Sequence, residues 1–240
     1  GFVVEGPTAG GHNAPPRGEL HLNARGEPIY GERDVVDLAK MRELELPFWL
    51  AGGVGSPEGL AAARAQGAAG IQVGTLFAFC DESGLTPEIK RHVLQGVAAG
   101  TATVLTDPRA SPTGYPFKVI EGVADPDAQH GRERECDLGY LRVATRGPDG
   151  RLVYRCPAEP EESYVAKGGD LADTVGRRCL CNGLMADVGL PQWHNGAPEP
   201  ELITSGDDLA SIAVLAGPNG RYGAEDVLKY LASHRSGVTR

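Results

Sequence analysis

The sequence predicts an α/β fold whose first 80 residues are built from parallel βα units. Three observations carry that reading: short apolar runs recur along this stretch, each run ends in glycine, and segments of helical periodicity separate them. Phe2-Val3-Val4 is the first run, of the kind buried on both faces of a parallel sheet, and a loop rich in glycine and proline follows from Gly6 to Gly18. Residues 34–44 read as a helix, with Asp34 as its cap and Val35, Leu38, Ala39 and Met41 on its apolar side. Pro47-Phe48-Trp49-Leu50-Ala51 is the second strand and ends at Gly52-Gly53. Ser56-Pro57-Glu58 then opens a helix with a cap hydroxyl, a first-turn proline and a first-turn acid, and Gly67 closes it. Ile71-Gln72-Val73 is the third strand and ends at Gly74-Thr75.

Beyond Cys80 the alternation stops. Thr86-Pro87-Glu88 starts a capped helix, with Ile89 and Val93 on one face and Gly96 as its stop. Residues 101–116, with Pro108, Pro112 and Pro116, read as loop. Residues 140–146 and 151–156 flank Pro148-Asp149-Gly150 and alternate through Leu141, Val143 and Thr145, which predicts a hairpin. Leu209, Ile212, Ala213 and Ala216 fall at helical spacing in residues 208–216, and residues 224–234 read as the last helix.

Composition narrows the function. The chain has 240 residues, enough for one large domain or two small ones, and 41% of them are apolar, enough for a sizeable core. Glycine and proline number 34 and 18, more than a fifth of the chain, so turns and close backbone approaches are frequent. A net charge of −9 repels nucleic acid and anionic membrane, and neither is expected as a partner. The longest apolar candidate, Ala68 to Cys80, is broken by glycine and glutamine and is too short to span a bilayer. Five cysteines suit a reducing cytoplasm better than a disulfide scaffold. The chain begins Gly1-Phe2 with no methionine and no signal peptide, inside a strand, so a fragment or a processed chain is expected.

Chemistry is expected where the strands end. Ala9-Gly10-Gly11-His12, Ala51-Gly52-Gly53-Val54 and Val73-Gly74-Thr75 sit in register with the βα units, and parallel α/β folds bind ligands at the carboxyl ends of their strands. One glycine pair alone reads as a tight turn. Three at matching strand ends point instead to a phosphate or cofactor, because glycine lets backbone N–H groups approach phosphate oxygens. His12, on a loop beside this site, is the candidate general base or hydrogen-bond donor. His21, His92, His130, His194 and His234 lack such a setting and read as surface or structural.

Taken in order, residues 4–12, residues 50–54 and residues 67–77 with Glu82-Ser83 resemble the nitronate monooxygenase (2-nitropropane dioxygenase-like) flavoprotein family, over residues 2–95. The resemblance implies the C-terminal portion of an FMN-dependent TIM barrel, strands six to eight, in residues 1–100. Residues 101–240 would be an irregular α+β extension with a hairpin and terminal helices packed on it. It further implies that Gly52, Gly53, Gly74 and Thr75 bind the FMN phosphate, that Gly10 and Gly11 approach the flavin, and that His12 is catalytic. The implied reaction takes an alkyl nitronate and O2 to a carbonyl compound and nitrite, without a metal, and the family allows a homo-oligomer. Two departures matter. Residues 13–18, Asn-Ala-Pro-Pro-Arg-Gly, differ from the shorter segment of many members, which leaves the substrate open. Strands one to five are absent, and three strands do not close a barrel, so the isolated chain is expected to lack activity its parent enzyme has. The alternatives are an FMN- and NAD(P)H-dependent enoyl-thioester reductase, as in the enoyl-acyl-carrier-protein reductases that share the Gly-Gly-His loop, and an inactive half-barrel.

Cys136, Cys156, Cys179 and Cys181 lie outside these motifs. Four thiols in 46 residues suit zinc or an iron–sulfur cluster, but C-x-C without a second close pair is poor spacing, and buried or incidental cysteine is the favoured reading. Residues 177–189 suggest a lid, from which Tyr164, Arg178 and Trp193 would reach a substrate.

Overall fold

The structure is a computed structural model that describes residues 1–123 and 133–233. Its first part is the expected parallel sheet. β1 (Phe2–Glu5), β2 (Phe48–Ala51) and β3 (Gly70–Gln72) pair in that order, with Val4 opposite Leu50 and Leu50 opposite Ile71. Among the described residues neither β1 nor β3 pairs with a further strand, and Phe2 and Val3 on β1 are 40% and 48% exposed.

The first helix is shorter than its pattern suggests. α1 covers Leu38–Glu43, and its cap is Asp37, whose carboxylate accepts from the backbone N–H groups of Ala39 and Lys40. Asp34 is drawn elsewhere, accepting from the N–H groups of Arg17 and Gly31 at 2.7 and 2.8 Å. Local carboxylate-to-backbone bonds thus form a turn over Glu32–Asp34 and delay the helix. α2 (Pro57–Ala65) starts as expected, with Ser56 Oγ accepting from Gly59 N at 2.9 Å and Pro57 in the first turn. The unexpected α3 (Thr75–Ala78) is one short turn that follows β3 directly.

α4 (Pro87–Ala99) begins at its Thr86 cap but runs through Gly96 to Gly100, which takes φ 70°. Gly96 is therefore a packing glycine and not a stop. A Cβ there would lie 2.6 Å from Val123 Cγ1. Residues 101–116 hold a strand where loop was expected. β4 (Thr103–Asp107) pairs antiparallel with β5 (Phe117–Glu121), because Thr-Val-Leu-Thr-Asp finds in β5 a partner whose inner side chains are buried. The hairpin β6 (Val143–Arg146) and β7 (Leu152–Arg155) forms as expected, with Gly150 at φ 80°. There follow α5 (Glu161–Ala166), α6 (Leu180–Asp187), the two-residue strands β8 (Trp193–His194) and β9 (Ala197–Pro198), α7 (Ala210–Ala216) and α8 (Ala224–Ala232). The expected histidines 130 and 234, and the end of the last helix, lie outside the described residues.

The main core joins early and late sequence. Leu76, Phe79, Ile89 and Val93 pack with Ile120, Ile203, Ile212, Tyr222 and Val227. Tyr222 Oη donates to Leu76 O at 2.8 Å, which satisfies a buried hydroxyl at the centre of this core. No described helix is long and apolar enough to cross a membrane.

Asp187, at the end of α6, is 3% exposed and accepts from Leu202 N at 3.0 Å. Burial pushes its carboxyl up to about 7. The folded chain therefore holds a proton at Asp187 that the unfolded chain releases near pH 4, so this residue's contribution to stability is complete in acid and falls as pH rises towards 7. Asp187→Asn keeps the acceptor without the charge. Its Tm relative to the parent is expected to rise between pH 5 and pH 8.5, and a difference independent of pH would remove Asp187 as the cause.

Candidate functional site

The three glycine-bearing strand ends border one cleft of about 360 Å³. All six residues expected to hold a cofactor, Gly10, Gly11, Gly52, Gly53, Gly74 and Thr75, line it. Local conformation requires glycine at Gly52, whose φ is 91° and where a Cβ would lie 2.8 Å from Ala9 N. Gly74 is different: its Cα faces open space, so it keeps the cleft wide without being forced by strain. The N–H groups of Gly53, Gly74 and Thr75 make no hydrogen bond among the described residues and are available to a ligand anion.

The fourth wall comes from a segment the sequence did not single out. Thr204, Ser205, Gly206 and Asp208 line the cleft. Gly206 N donates to Thr75 Oγ1 at 2.8 Å, Gly11 N donates to Thr204 Oγ1 at 2.9 Å, and Asp207 N donates to Thr8 O at 3.0 Å. Gly10 packs so closely on this segment that a Cβ would lie 2.7 Å from Gly206 N. Thr75 accepts from Gly206 with its oxygen, which leaves its own O–H free to donate. A single sequence gives little warning of such a wall. Residues 204–208 follow no strand, and only the helix start at Asp208 is legible.

Asp207 also anchors the wall electrostatically. Its Oδ1 lies 2.6 Å from Lys118 Nζ, which is 2.6 Å from Thr106 Oγ1. The Lys118 side chain is 1% exposed, and that of Asp207 is 44% exposed.

His12 is one residue beyond the cleft lining, at the seam with β5. Its ring stands edge-on to Phe117 with centroids 4.8 Å apart, and the backbone forms an isolated antiparallel bridge to Phe117. Nε2 is 2.7 Å from Ser111 Oγ, which is 2.8 Å from Thr113 Oγ1. Ser111 is fully buried, and the Arg177 guanidinium donates to its carbonyl. Partial burial pulls the His12 imidazole below its ordinary value, so the neutral ring dominates at neutral pH. A neutral imidazole sharing one nitrogen with a buried hydroxyl is suited to take a proton.

The suggested lid residues are elsewhere. None of Tyr164, Arg178 and Trp193 lines the cleft: Tyr164 is buried with its Oη donating to Asp173 at 3.0 Å, Arg178 N bonds Ala110 O, and Trp193 is 65% exposed on β8. His21 and His92 are exposed, and His194 is 2.9 Å from Asp137.

Comparison with known proteins follows the same cleft. The family model described as nitronate monooxygenase matches residues 1–120, half of the chain, including all the glycine loops and His12. The chain belongs to the nitronate monooxygenase family. A probable nitronate monooxygenase of Staphylococcus haemolyticus is 35% identical over 106 residues, which are 44% of this chain and 28% of that protein. The nitronate monooxygenase of Pseudomonas aeruginosa is 33% identical over 124 residues, 52% of this chain and 34% of its own length. The chain thus spans about a third of the length of these relatives. A solved structure of FabK from Thermotoga maritima aligns with a TM-score of 0.45 at 20% identity, covering 95% of this chain and 53% of that one.

Proposed function

We propose that this chain is the flavin-phosphate half of an FMN-dependent oxidoreductase that oxidises alkyl nitronates with O2 to carbonyl compound and nitrite. The observation that carries this reading is the cleft lined by three glycine loops, two of which present unused N–H donors at Gly53, Gly74 and Thr75 beside open space at Gly74. Gly53, Gly74 and Thr75 would hold the phosphate, with Gly52 setting the turn that aims them. Gly10 and Gly11 would form the floor towards the ring system, backed by Ser205 and Gly206. FMN supplies the electron transfer when bound. The chain's own contribution is to position the substrate, to accept or return a proton at His12 Nε2 and to keep that imidazole neutral. We read residues 1–100 as strands six to eight of a TIM barrel, and residues 101–240 as an extension that completes the cleft wall.

Titration with FMN tests the site in the chain as it stands. Saturable quenching of flavin fluorescence is expected. Gly74→Val, which fills open space without forcing the backbone, is expected to weaken binding by roughly tenfold or more. Binding that ignores this substitution, or no saturable binding at all, refutes the assignment of this cleft. With the remaining strands supplied, nitrite release from an alkyl nitronate under O2 is the expected activity. NAD(P)H-dependent reduction of an enoyl thioester without nitrite release would select the reductase instead.

A further inference from the structure

Gly6-Pro7-Thr8-Ala9 turns the chain directly after β1. Proline at the second position pre-sets the bend, and Ala9 N donates to Gly6 O at 3.1 Å to close it. Gly6 N donates to Ala51 O at 3.0 Å, so the turn is seated on the end of β2. Thr8 is thereby carried over the Gly52-Gly53 corner. A Cβ on Gly52 would lie 3.0 Å from Thr8 Oγ1, and one on Gly53 would lie 3.1 Å from it. The glycine pair thus leaves room for this hydroxyl, beyond what its φ angles of 91° and 66° require. Thr8 is also fixed from behind, since its carbonyl accepts from Asp207 N at 3.0 Å.

Among the described residues four hydroxyl side chains line the cleft, and three of them are engaged. Thr75 Oγ1 accepts from Gly206 N, Thr204 Oγ1 accepts from Gly11 N, and Ser205 Oγ donates to Gly206 O at 2.9 Å. Thr8 Oγ1 makes no hydrogen bond among the described residues, and it stands against the corner whose Gly53 N–H is equally unused. The charge balance of the lining makes such donors count. No lysine, arginine or histidine lines the cleft, whereas Glu5 and Asp208 do, and the ammonium group of Lys118 is held by Asp207. A phosphate bound here is met by the neutral donors of the lining, and a hydrogen bond to a charged acceptor is roughly twice as strong as one between neutral groups.

We propose that the Thr8 hydroxyl is a direct ligand of the phosphate, donating to one of its oxygens beside the N–H groups of Gly53, Gly74 and Thr75. This rests on the flavin-phosphate reading of the cleft and adds specificity to it. Thr8 favours a flavin that ends in a phosphate monoester over one that ends in a free hydroxyl, because the neutral hydroxyl offers its O–H a weaker acceptor. Sequence order conceals the role. Thr8 belongs to the loop after β1, the phosphate loops follow β2 and β3, and the bend at Pro7 is what carries one across to the other.

Fluorescence titration of the full chain with FMN and with riboflavin tests this in three proteins: the parent, Thr8→Val and Thr8→Ser. Valine keeps the branched shape and removes the O–H, and is expected to weaken FMN binding by about ten- to a hundredfold. Serine keeps the O–H and should bind FMN as the parent does. Riboflavin lacks the phosphate and should bind all three alike, while the melting temperatures of the flavin-free proteins report folding independently. FMN binding that is unchanged in Thr8→Val, or lost in Thr8→Ser as well, overturns the role of Thr8 and leaves the cleft assignment standing. An equal loss of FMN and riboflavin in a folded Thr8→Val overturns it too, because the residue would then shape the cleft without meeting the phosphate. A parent chain that takes up no FMN overturns both readings at once.

Discussion

Asp207→Ala is expected to lower the stability of the chain by about 3–5 kcal/mol, the cost of leaving a buried charge without its partner. Lys118 is the buried member of this pair, at 1% side-chain exposure, and Thr106 Oγ1 would be its remaining hydrogen-bond partner among the described residues, with the Glu27 carboxylate acting on it at longer range. Lys118→Met removes the charge itself. The Asp207 carboxylate it leaves behind is 44% exposed and can be hydrated, so this variant is expected to cost about 1 kcal/mol or less. The double variant should recover most of the loss, giving a strong positive coupling in a double-mutant cycle. Urea unfolding of the four proteins measures all three numbers. Equal costs for the two single variants would show that burial does not dominate this pair.

His12→Ala, made in the complete enzyme, is expected to lower turnover of a nitronate by about 10²–10⁴-fold with FMN still bound. Three residues separate the two effects in space. Gly10 and Gly11 line the cleft, whereas His12 engages Ser111 and Phe117 at its edge. The pH profile gives a second signature. Burial lowers the imidazole, so the parent enzyme should lose activity only as pH falls below the ordinary histidine range, through protonation of the base. The remaining activity of His12→Ala should lack that limb. Unchanged turnover would remove His12 from the chemistry. Loss of flavin along with turnover would give it a role in binding instead.

The parallel sheet was legible because its signals are local. A strand that ends in Gly52-Gly53 and a helix that opens at Ser56-Pro57 are each specified by a few adjacent residues. The same locality misled at Asp34, where a competing turn captured the carboxylate, and at Gly96, where a glycine chosen for its contact with Val123 imitates a helix stop. β4 escaped notice because the prolines around it read as loop and because its partner lies ten residues on. The six cleft residues could be found since each lies in the loop or turn that follows a strand, although β1 itself ends at Glu5, five residues before Gly10. Thr204–Asp208 could not, because what places it there is the packing of Ile203 and Ile212 into a core shared with Leu76 and Val93.

That wall has a kinetic consequence. The bond from Gly11 N to Thr204 Oγ1 spans 193 residues, so the cleft has one side contributed by the start of the chain and another by its last fifth. Ordering a contact of such range requires closure of a very long loop before any local reward, and non-local contacts of this kind slow folding. During synthesis the glycine loops emerge before residues 204–208 and stay open on that flank until those residues have left the ribosome. The βα units can therefore form early while the binding cleft is among the last features to assemble. A truncation between Thr75 and Thr204 would keep every glycine motif and still leave the cleft without its fourth wall.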